Sequence, residues 1–375
     1  MPRTVDDPLK SRTLGTSSDD LVRPCEKPRP DRAPAPDVPR QPPIAVALSG
    51  GGFRATLSGL GVLRFVADAG MLGQVRHVSS VSGGSVANGM FASRYPAVRD
   101  QGFTAEAFDT QVLRPLVERV SSLSLQRRMM AQVWKILGRK TRTDLLADEF
   151  DRWFFGGMLL EELAGGCRFA INAANTSTGV RFMFERDLVG DYVIGRIPTA
   201  GTGVRLARAV AASAAVPGLL PPMVLEGLQF PCQRGRTVRL VDGGAYDNMG
   251  LEAVDDLADH LLVSLNAGGL FVTGRYGGIP LIRDLQLAQS LLYRQSTALR
   301  RRMMVDRFQA WEAARDRNQP PPPWSRRGVL FGLATTLEPR DNWRHVNPAP
   351  PMPDDVAFVK TSFDRFPREL CEKLV

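Results

Sequence analysis

The stretch SVSGGS at residues 80–85 places a serine where nucleophilic chemistry is favourable. An apolar run precedes it and a helical pattern follows, which predicts a strand-to-helix turn at Ser82. A turn of this kind, the nucleophile elbow, presents the serine hydroxyl and requires small residues two positions before and after it. Ser80 and Gly84 occupy those positions, and the amides of Gly83 and Gly84 would favour a developing alkoxide. The competing interpretation is a helix start at which a serine serves only as the N-cap.

A glycine cluster, SGGGFR at residues 49–54, lies at the preceding strand-to-helix junction. Gly50, Gly51 and Gly52 carry no side chains, so their backbone N–H groups can turn inward and bind an oxyanion during ester hydrolysis. Arg54 would either steady this loop or bind a phosphate head group. A nucleotide-binding loop is the alternative, but no Gly-Lys-Ser/Thr follows the glycines.

A third motif, VDGGAYDN at residues 241–248, ends a predicted strand with a carboxylate. Asp242 closes the apolar run, and Gly243 and Gly244 follow it. In open α/β sheets, ligands bind beyond the carboxyl ends of the strands, which is where this carboxylate is expected. An ordinary Asp-Gly turn is the simpler interpretation. Asp247 is a weaker candidate because it is displaced from the strand end.

The chain has three histidines, and none stands in a setting typical of catalysis. His77 lies five positions before Ser82 in a predicted strand, His260 in an apolar stretch, and His345 in a Pro-rich region. A Ser-His-Asp triad is therefore an alternative that lacks a convincing histidine. The same scarcity, with four cysteines at no ligand spacing, argues against a metal site.

The elements around these motifs predict an α/β fold. Residues 44–49 and 75–82 have the pattern of buried strands, each followed by a helix, and this order predicts a largely parallel sheet flanked by helices. Residues 103–165 predict mainly helices. Residues 167–186 predict two strands joined by a turn, and residues 251–269 a helix followed by a strand.

Composition limits the compartment and the partners. Residues 1–43 are rich in Pro, Arg, Asp and Ser, and this composition predicts a disordered tail. Near the other end of the chain, a helical piece is expected between residues 282 and 315. The sequence shows no signal-peptide pattern, and its scattered cysteines are expected to be free thiols. Both features suit a cytoplasmic protein, at most peripheral to a membrane. The net charge of +9 suits an anionic partner, although arginine spread along the chain is also what a GC-rich genome gives. With 7% aromatic residues, nucleic acid is not expected as a partner.

Residues 44–270 resemble the patatin-like phospholipases, which also resemble the cytosolic phospholipase catalytic domain. The resemblance rests on four motifs in a fixed order: SGGGFRA, SVSGGS, ASAAVPGLLPPM and VDGGAYDNMGL. The resemblance implies a three-layer sandwich with a central, largely parallel sheet and a helical insertion after the nucleophile helix. It therefore implies a patatin-like acyl hydrolase domain over residues 44–375. Two positions depart from the family pattern: Ser80 replaces the first glycine of GxSxG, and Ala55 replaces a glycine after the basic residue.

The resemblance also implies roles for the motif residues. Ser82 would be the nucleophile, Asp242 its general base without a histidine, and Gly50–Gly52 with Arg54 the oxyanion loop, with no cofactor and no metal. The implied activity is hydrolysis of phospholipid or other lipid esters through an acyl-enzyme. Non-catalytic lipid binding on the same fold is the alternative. Residues 114–142 combine apolar and basic residues, which predicts either an amphipathic helix on an anionic membrane or a helical cap with a solvated basic face.

Overall fold

The computed structural model describes residues 42–132, 140–233, 235, 237–257, 259–268, 280–333 and 363–375. Its strands are β1 (Ile44–Leu48), β2 (Val75–Val81), β3 (Arg168–Asn175), β4 (Arg181–Phe184), β5 (Leu188–Asp191), β6 (Gly195–Pro198), β7 (Met223–Glu226), β8 (Thr237–Asp242), β9 (Leu261–Asn266) and β10 (Gly328–Gly332). Its α-helices are α1 (Gly52–Asp68), α2 (Gly83–Asp100), α3 (Ala105–Phe108), α4 (Arg114–Ser122), α5 (Leu125–Ala131), α6 (Arg142–Phe150), α7 (Leu206–Ser213), α8 (Gly244–Asp247), α9 (Pro280–Asp316) and α10 (Arg368–Leu374). Except for residues 42 and 43, the predicted tail lies outside the described residues.

The strands of the described residues form one mixed sheet, in the order β10-β9-β1-β2-β3-β4-β5-β6, with β8 paired to β3 and β7 paired to β8. The five strands from β10 to β3 run parallel. Beyond β3 the pairings are antiparallel. The predicted α/β fold is confirmed, and the parallel strands include both strands that precede the glycine and serine motifs.

The two faces of β1 show how the layers are divided. Ile44, Val46 and Leu48 point into the main core, which is built with α1 and α2. The alternate residues Ala45 and Ala47 face a smaller cluster on the other side, which includes the α9 side chains. Because side chains alternate along a strand, one apolar strand serves two helical layers. The sheet therefore lies between helices, as a three-layer sandwich requires.

The segments predicted on either side of the sheet centre have different outcomes. The described residues between 103 and 165 are mainly helical, as predicted, with α3 to α6 and two π-helical turns at Asp109–Leu113 and Asp151–Phe155. That these helices are an insertion stays a prediction. The hairpin predicted for residues 167–186 is confirmed by the antiparallel pairing of β3 with β4. The helix predicted before β9 is wrong, because the described part of residues 251–260 forms turns.

Two further expectations concern cysteines and membranes. Cys167 and Cys371 are free thiols, but Cys232 forms a disulfide bond, so the expectation of free cysteines is wrong for this residue. Among the described helices, none has the length and apolar character needed to cross a bilayer.

Candidate active site

The site forms where two strands meet end to end along one edge of β3. On this edge β2 runs parallel to β3 up to the pair Val81 and Asn172. Strand β8 then continues the same edge in the opposite direction, and its last residue, Asp242, pairs with Ala173. Because the chain leaves β2 at Ser82 and leaves β8 at Asp242, β3 brings the two motif residues together although they are far apart in sequence.

Ser82 has the backbone strain of a nucleophile elbow. Its φ of 52° and ψ of −120° lie in a region that side-chain-bearing residues rarely occupy. The next two residues need to be glycine: a Cβ on Gly83 would come within 2.0 Å of the Gly52 carbonyl oxygen, and one on Gly84 within 2.6 Å of the Leu48 carbonyl oxygen. The strand, the strained serine and helix α2 therefore follow one another with no spare residue.

A network of buried hydroxyls holds the elbow in place. The Ser82 N–H donates to Ser213 Oγ at 2.9 Å, and Ser213 Oγ donates to the Asn172 carbonyl at 2.6 Å. Ser85 Oγ lies 2.9 Å from Ser213 Oγ and donates to Ser80 Oγ at 3.0 Å. The side chain of Ser80, at a position where the family has glycine, is thus accommodated because its hydroxyl joins this network.

Asp242 is the buried carboxylate of the site, with 1% of its surface exposed. The Gly244 N–H donates to it at 2.7 Å, and the Ser82 and Tyr293 hydroxyls lie close enough to favour its charged form. Burial raises the pKa of Asp242 from 3.8 to about 6, and the Ser82, Gly244 and Tyr293 donors oppose that rise because they favour the charged form. A carboxyl group with this pKa is mostly ionised at pH 7 and lies beside the serine hydroxyl.

Tyr293 comes from helix α9 and was not singled out from the sequence. A Cβ at Gly244 would lie 2.6 Å from Tyr293 Cε1 and 2.9 Å from Asp242 Oδ1, so the ring edge and the carboxylate share the space that this glycine leaves open. The expected helical piece between residues 282 and 315 gave no indication of which face would meet the site. Gly243 is needed for a different reason, since its Cβ would approach the Asn172 carbonyl oxygen within 2.3 Å.

The glycine loop lies against both motif residues. Gly50 donates its N–H to the Asn248 carbonyl at 2.9 Å, and a Cβ at Gly50 would lie 3.2 Å from Ser82 Cβ. Gly51 and Gly52 have φ values of 143° and 62°. Within the described part of the chain, the N–H groups of Gly51 and Gly52 have no hydrogen-bond acceptor. Of the three predicted oxyanion donors, Gly50 is therefore committed to Asn248, and the other two N–H groups remain for a ligand.

Arg54 ties the glycine loop to the end of β9. Its Nε and one terminal nitrogen donate to the Ala267 carbonyl at 3.1 and 2.8 Å, and 3% of the residue is exposed. Burial lowers the pKa of this guanidinium to about 10. Ser49 Oγ accepts the Ala267 N–H at 2.7 Å, which adds a second bond between the same two segments. These contacts favour the loop-steadying role over the binding of a phosphate head group.

The histidines that the structure describes lie away from Ser82. His77 pairs with Ala45 near the start of β1, and His260 directly precedes β9. Their rings contact each other with centroids 5.4 Å apart, at the opposite end of the strands from the serine. His345 lies outside the described residues. Asp247, the weaker carboxylate candidate, accepts the N–H groups of Met249 and Glu252 and pairs with Arg300, which is a structural role.

Among the described side chains, no group of three or more His, Cys, Asp or Glu is arranged to hold a metal ion. The fold, with its site at the carboxyl ends of parallel strands, belongs to the class of α/β proteins that bind their ligands at that edge.

The family model of the patatin-like phospholipases matches residues 46–255, more than half of the chain, and includes all three motifs. The protein belongs to this family. No curated protein shows significant sequence similarity to the chain.

Solved structures with a similar fold include human GIVD cytosolic phospholipase A2. The structure of that protein in complex with methyl gamma-linolenyl fluorophosphonate is 14% identical in sequence to this chain and has a TM-score of 0.48, over 89% of this chain and 56% of that chain. A second structure of the same human protein, also 14% identical, has a TM-score of 0.43, over 81% of this chain and 47% of that chain. VipD from Legionella pneumophila is 13% identical to this chain and has a TM-score of 0.32, over 90% of this chain and 67% of the VipD chain. The chain thus spans about half the length of the human protein.

Proposed function

We propose that this protein hydrolyses phospholipid or other lipid esters through a Ser82–Asp242 dyad and an acyl-enzyme. The observation that carries the proposal is that the strained Ser82 lies beside the buried carboxylate of Asp242, whose pKa burial raises to about 6 and whose charged form the serine hydroxyl favours. A general base works best when its pKa lies near the operating pH, and the nucleophile must lie within hydrogen-bond reach of it. Both conditions are met without a histidine.

In the first step, Asp242 takes the proton from Ser82 Oγ as this oxygen attacks the ester carbonyl carbon. The carbonyl oxygen becomes an oxyanion, which the N–H groups of Gly51 and Gly52 stabilise. Collapse of this intermediate breaks the ester bond, and the leaving alcohol takes the proton from Asp242. A water molecule then gives a proton to Asp242 and attacks the acyl-enzyme, which releases the fatty acid and returns the proton to Ser82.

The test is the turnover of a p-nitrophenyl ester by the full chain and by Ser82→Ala and Asp242→Asn. Each substitution is expected to lower kcat by about a thousandfold or more, by analogy with the removal of a catalytic nucleophile or its base. Ser93→Ala is the matched control, because Ser93 lies on the same helix α2 and its hydroxyl donates to the Met90 carbonyl. Activity within threefold of the unmodified protein in either site variant would refute the dyad.

Fluorophosphonate labelling separates hydrolysis from simple lipid binding. A fluorophosphonate reacts with an activated serine, so intact mass should show one adduct on the unmodified protein and on Ser93→Ala, and none on Ser82→Ala. A protein that binds ester lipid without labelling at Ser82 would instead be the non-catalytic lipid-binding protein considered above.

A further inference from the structure

Helix α9 carries an exposed apolar surface beside the site. Its inner face is fixed: Met304 is fully buried against the sheet, and Arg300 pairs with Asp247 at 3.3 Å. Arg300 also lies over the ring of Tyr246, 5.3 Å from the centroid. With Tyr293 beside Asp242, three residues spaced along one face of α9 anchor the helix over the motif residues.

The outward side of α9 has four large apolar side chains in water, which we call the apolar ridge. Leu291, Leu292, Leu299 and Met303 are 54%, 66%, 60% and 38% exposed. Positions 292, 299 and 303 follow one another at helical spacing on one flank, about 100° around the helix from Tyr293. The ridge therefore begins beside Tyr293, at Leu291 and Leu292, and extends to Met303, about 15 Å along the helix from Tyr293.

The charge around the ridge has one sign. From residue 285 to residue 305 the sequence contains no Asp or Glu and four arginines. Arg294 and Arg301 lie on the flank opposite Leu292, and Arg302 lies on the outward side; all three are exposed. In the described part of the chain, Arg301 and Arg302 form no ion pair, and the nearest acidic residue toward the C-terminus is Asp306.

The basic segment singled out from the sequence fits a membrane less well. Arg128 of α5 and Gln132, which directly follows this helix, both bind the fully buried Glu149, and Leu125 of α5 is buried. These contacts fix α5 on α6 and favour the alternative of a helical cap packed on the core. Met130, 74% exposed, is a large apolar side chain of α5 that remains in water. Residues 133–139 of the predicted segment lie outside the described residues.

From this arrangement we infer that the apolar ridge of α9 and its flanking arginines dock the protein on an anionic lipid surface, next to the site that would receive the lipid ester. An amphipathic helix that lies in a membrane interface buries its apolar side among the acyl chains and places basic residues near acidic head groups. The inference rests on the proposed function for its purpose, but the docking itself does not depend on the chemistry of Ser82.

The test is vesicle co-sedimentation of the full chain in a Ser82→Ala background, so that no lipid is consumed. Vesicles are phosphatidylcholine alone or phosphatidylcholine mixed with phosphatidylglycerol. Leu292→Ser/Leu299→Ser should weaken binding to the mixed vesicles about tenfold or more, because two large side chains no longer enter the bilayer. Arg301→Gln/Arg302→Gln should weaken it by about tenfold on the mixed vesicles only. Met130→Ser, an exposed apolar residue elsewhere, is the matched control and should bind as the parent does.

Three results would overturn the inference: no binding to mixed vesicles, equal binding by the leucine variant and its parent, or a loss of binding in Met130→Ser that matches the loss in the leucine variant. A second copy of the chain is the competing occupant. Sedimentation velocity that shows a dimer, abolished by the leucine substitutions, would assign the ridge to self-association instead. Turnover of a soluble p-nitrophenyl ester by the same substitutions with Ser82 restored should match the unmodified protein, so a failure of docking and a failure of the proposed dyad are distinguishable.

Discussion

The Tyr293 hydroxyl should set the pH range over which the proposed dyad works. This hydroxyl, close to Asp242, favours the charged form of the carboxylate and so lowers a pKa that burial alone would place above 6. Tyr293→Phe removes the hydroxyl and leaves the ring against Gly244. A hydrogen bond to a charged group is worth about 1.5–3 kcal/mol, which corresponds to about one to two pKa units.

The expected result is a shift of the acid limb of kcat/KM, which reports ionisations of the free enzyme. In the unmodified protein the rate should rise through about pH 6, the pKa of Asp242, as the base loses its proton. In Tyr293→Phe the rise should move to about pH 7–8, with a loss of roughly tenfold at pH 6 and little loss at pH 9. The assay is p-nitrophenyl ester hydrolysis from pH 5 to pH 9.5.

Tyr246→Phe is the matched control, because the Tyr246 hydroxyl lies on neighbouring helix α8 and bonds to Glu252 instead of Asp242. Its acid limb should remain near pH 6. The reasoning is refuted if Tyr293→Phe keeps the acid limb of the unmodified protein. A rate that falls by the same factor at every pH would also refute it, since that outcome indicates a structural role without an effect on the carboxylate.

Two further predictions concern stability. Above pH 7, Asp242→Asn should have a free energy of unfolding up to about 3 kcal/mol higher than the unmodified protein, which a higher urea midpoint would show. The reason is that the folded state raises the pKa of Asp242 by about two units, so the stability that the protonated carboxyl provides is lost as the pH rises from 3.8 through about 6. Equal stability of the two proteins at pH 8 would contradict this. Ser213→Ala should lower the free energy of unfolding by about 2 kcal/mol or more, because the buried Ser82 N–H loses its acceptor, and it should also lower kcat. The exposed substitution Ser121→Ala is the control. An unchanged urea midpoint in Ser213→Ala would show that the hydroxyl network does not hold the elbow.

The three motifs could be predicted from sequence because each is a local event. At Ser82 and at Gly51–Gly52 a strand ends, the backbone turns through an unusual φ, and a helix begins within a few residues. Small residues at such a junction are recorded directly in the sequence. What the sequence could not give is their spatial relation, because the pairing of Asp242 with Ala173 depends on β8 taking up the edge of β3 that β2 leaves.

The supporting residues were missed for the same reason. Ser213 ends helix α7 in an alanine-rich stretch, and nothing local shows that its hydroxyl meets Ser82, 131 residues earlier. Tyr293 is equally remote from Asp242. Asn248, in contrast, could have been selected from the sequence as a site residue, because it is part of the VDGGAYDN motif. The wrongly predicted helix after Met249 also has a local cause: the Asp247 side chain accepts N–H groups from the following turn and so competes with a helical backbone.

The position of Ser82 beside Asp242 explains why the proposed chemistry uses a carboxylate in place of an imidazole. In a triad the aspartate binds the far side of a histidine ring, whereas here the carboxylate lies beside the serine hydroxyl with no histidine between them. A carboxylate at its ordinary pKa would be a weak base at neutral pH, and burial corrects this by raising the pKa of Asp242 to about 6. Burial alone would also tend to keep the group protonated, and the donors Gly244 and Tyr293 oppose that tendency. The strength of the base is therefore a balance between the burial provided by the sheet and the donors provided by α8 and α9.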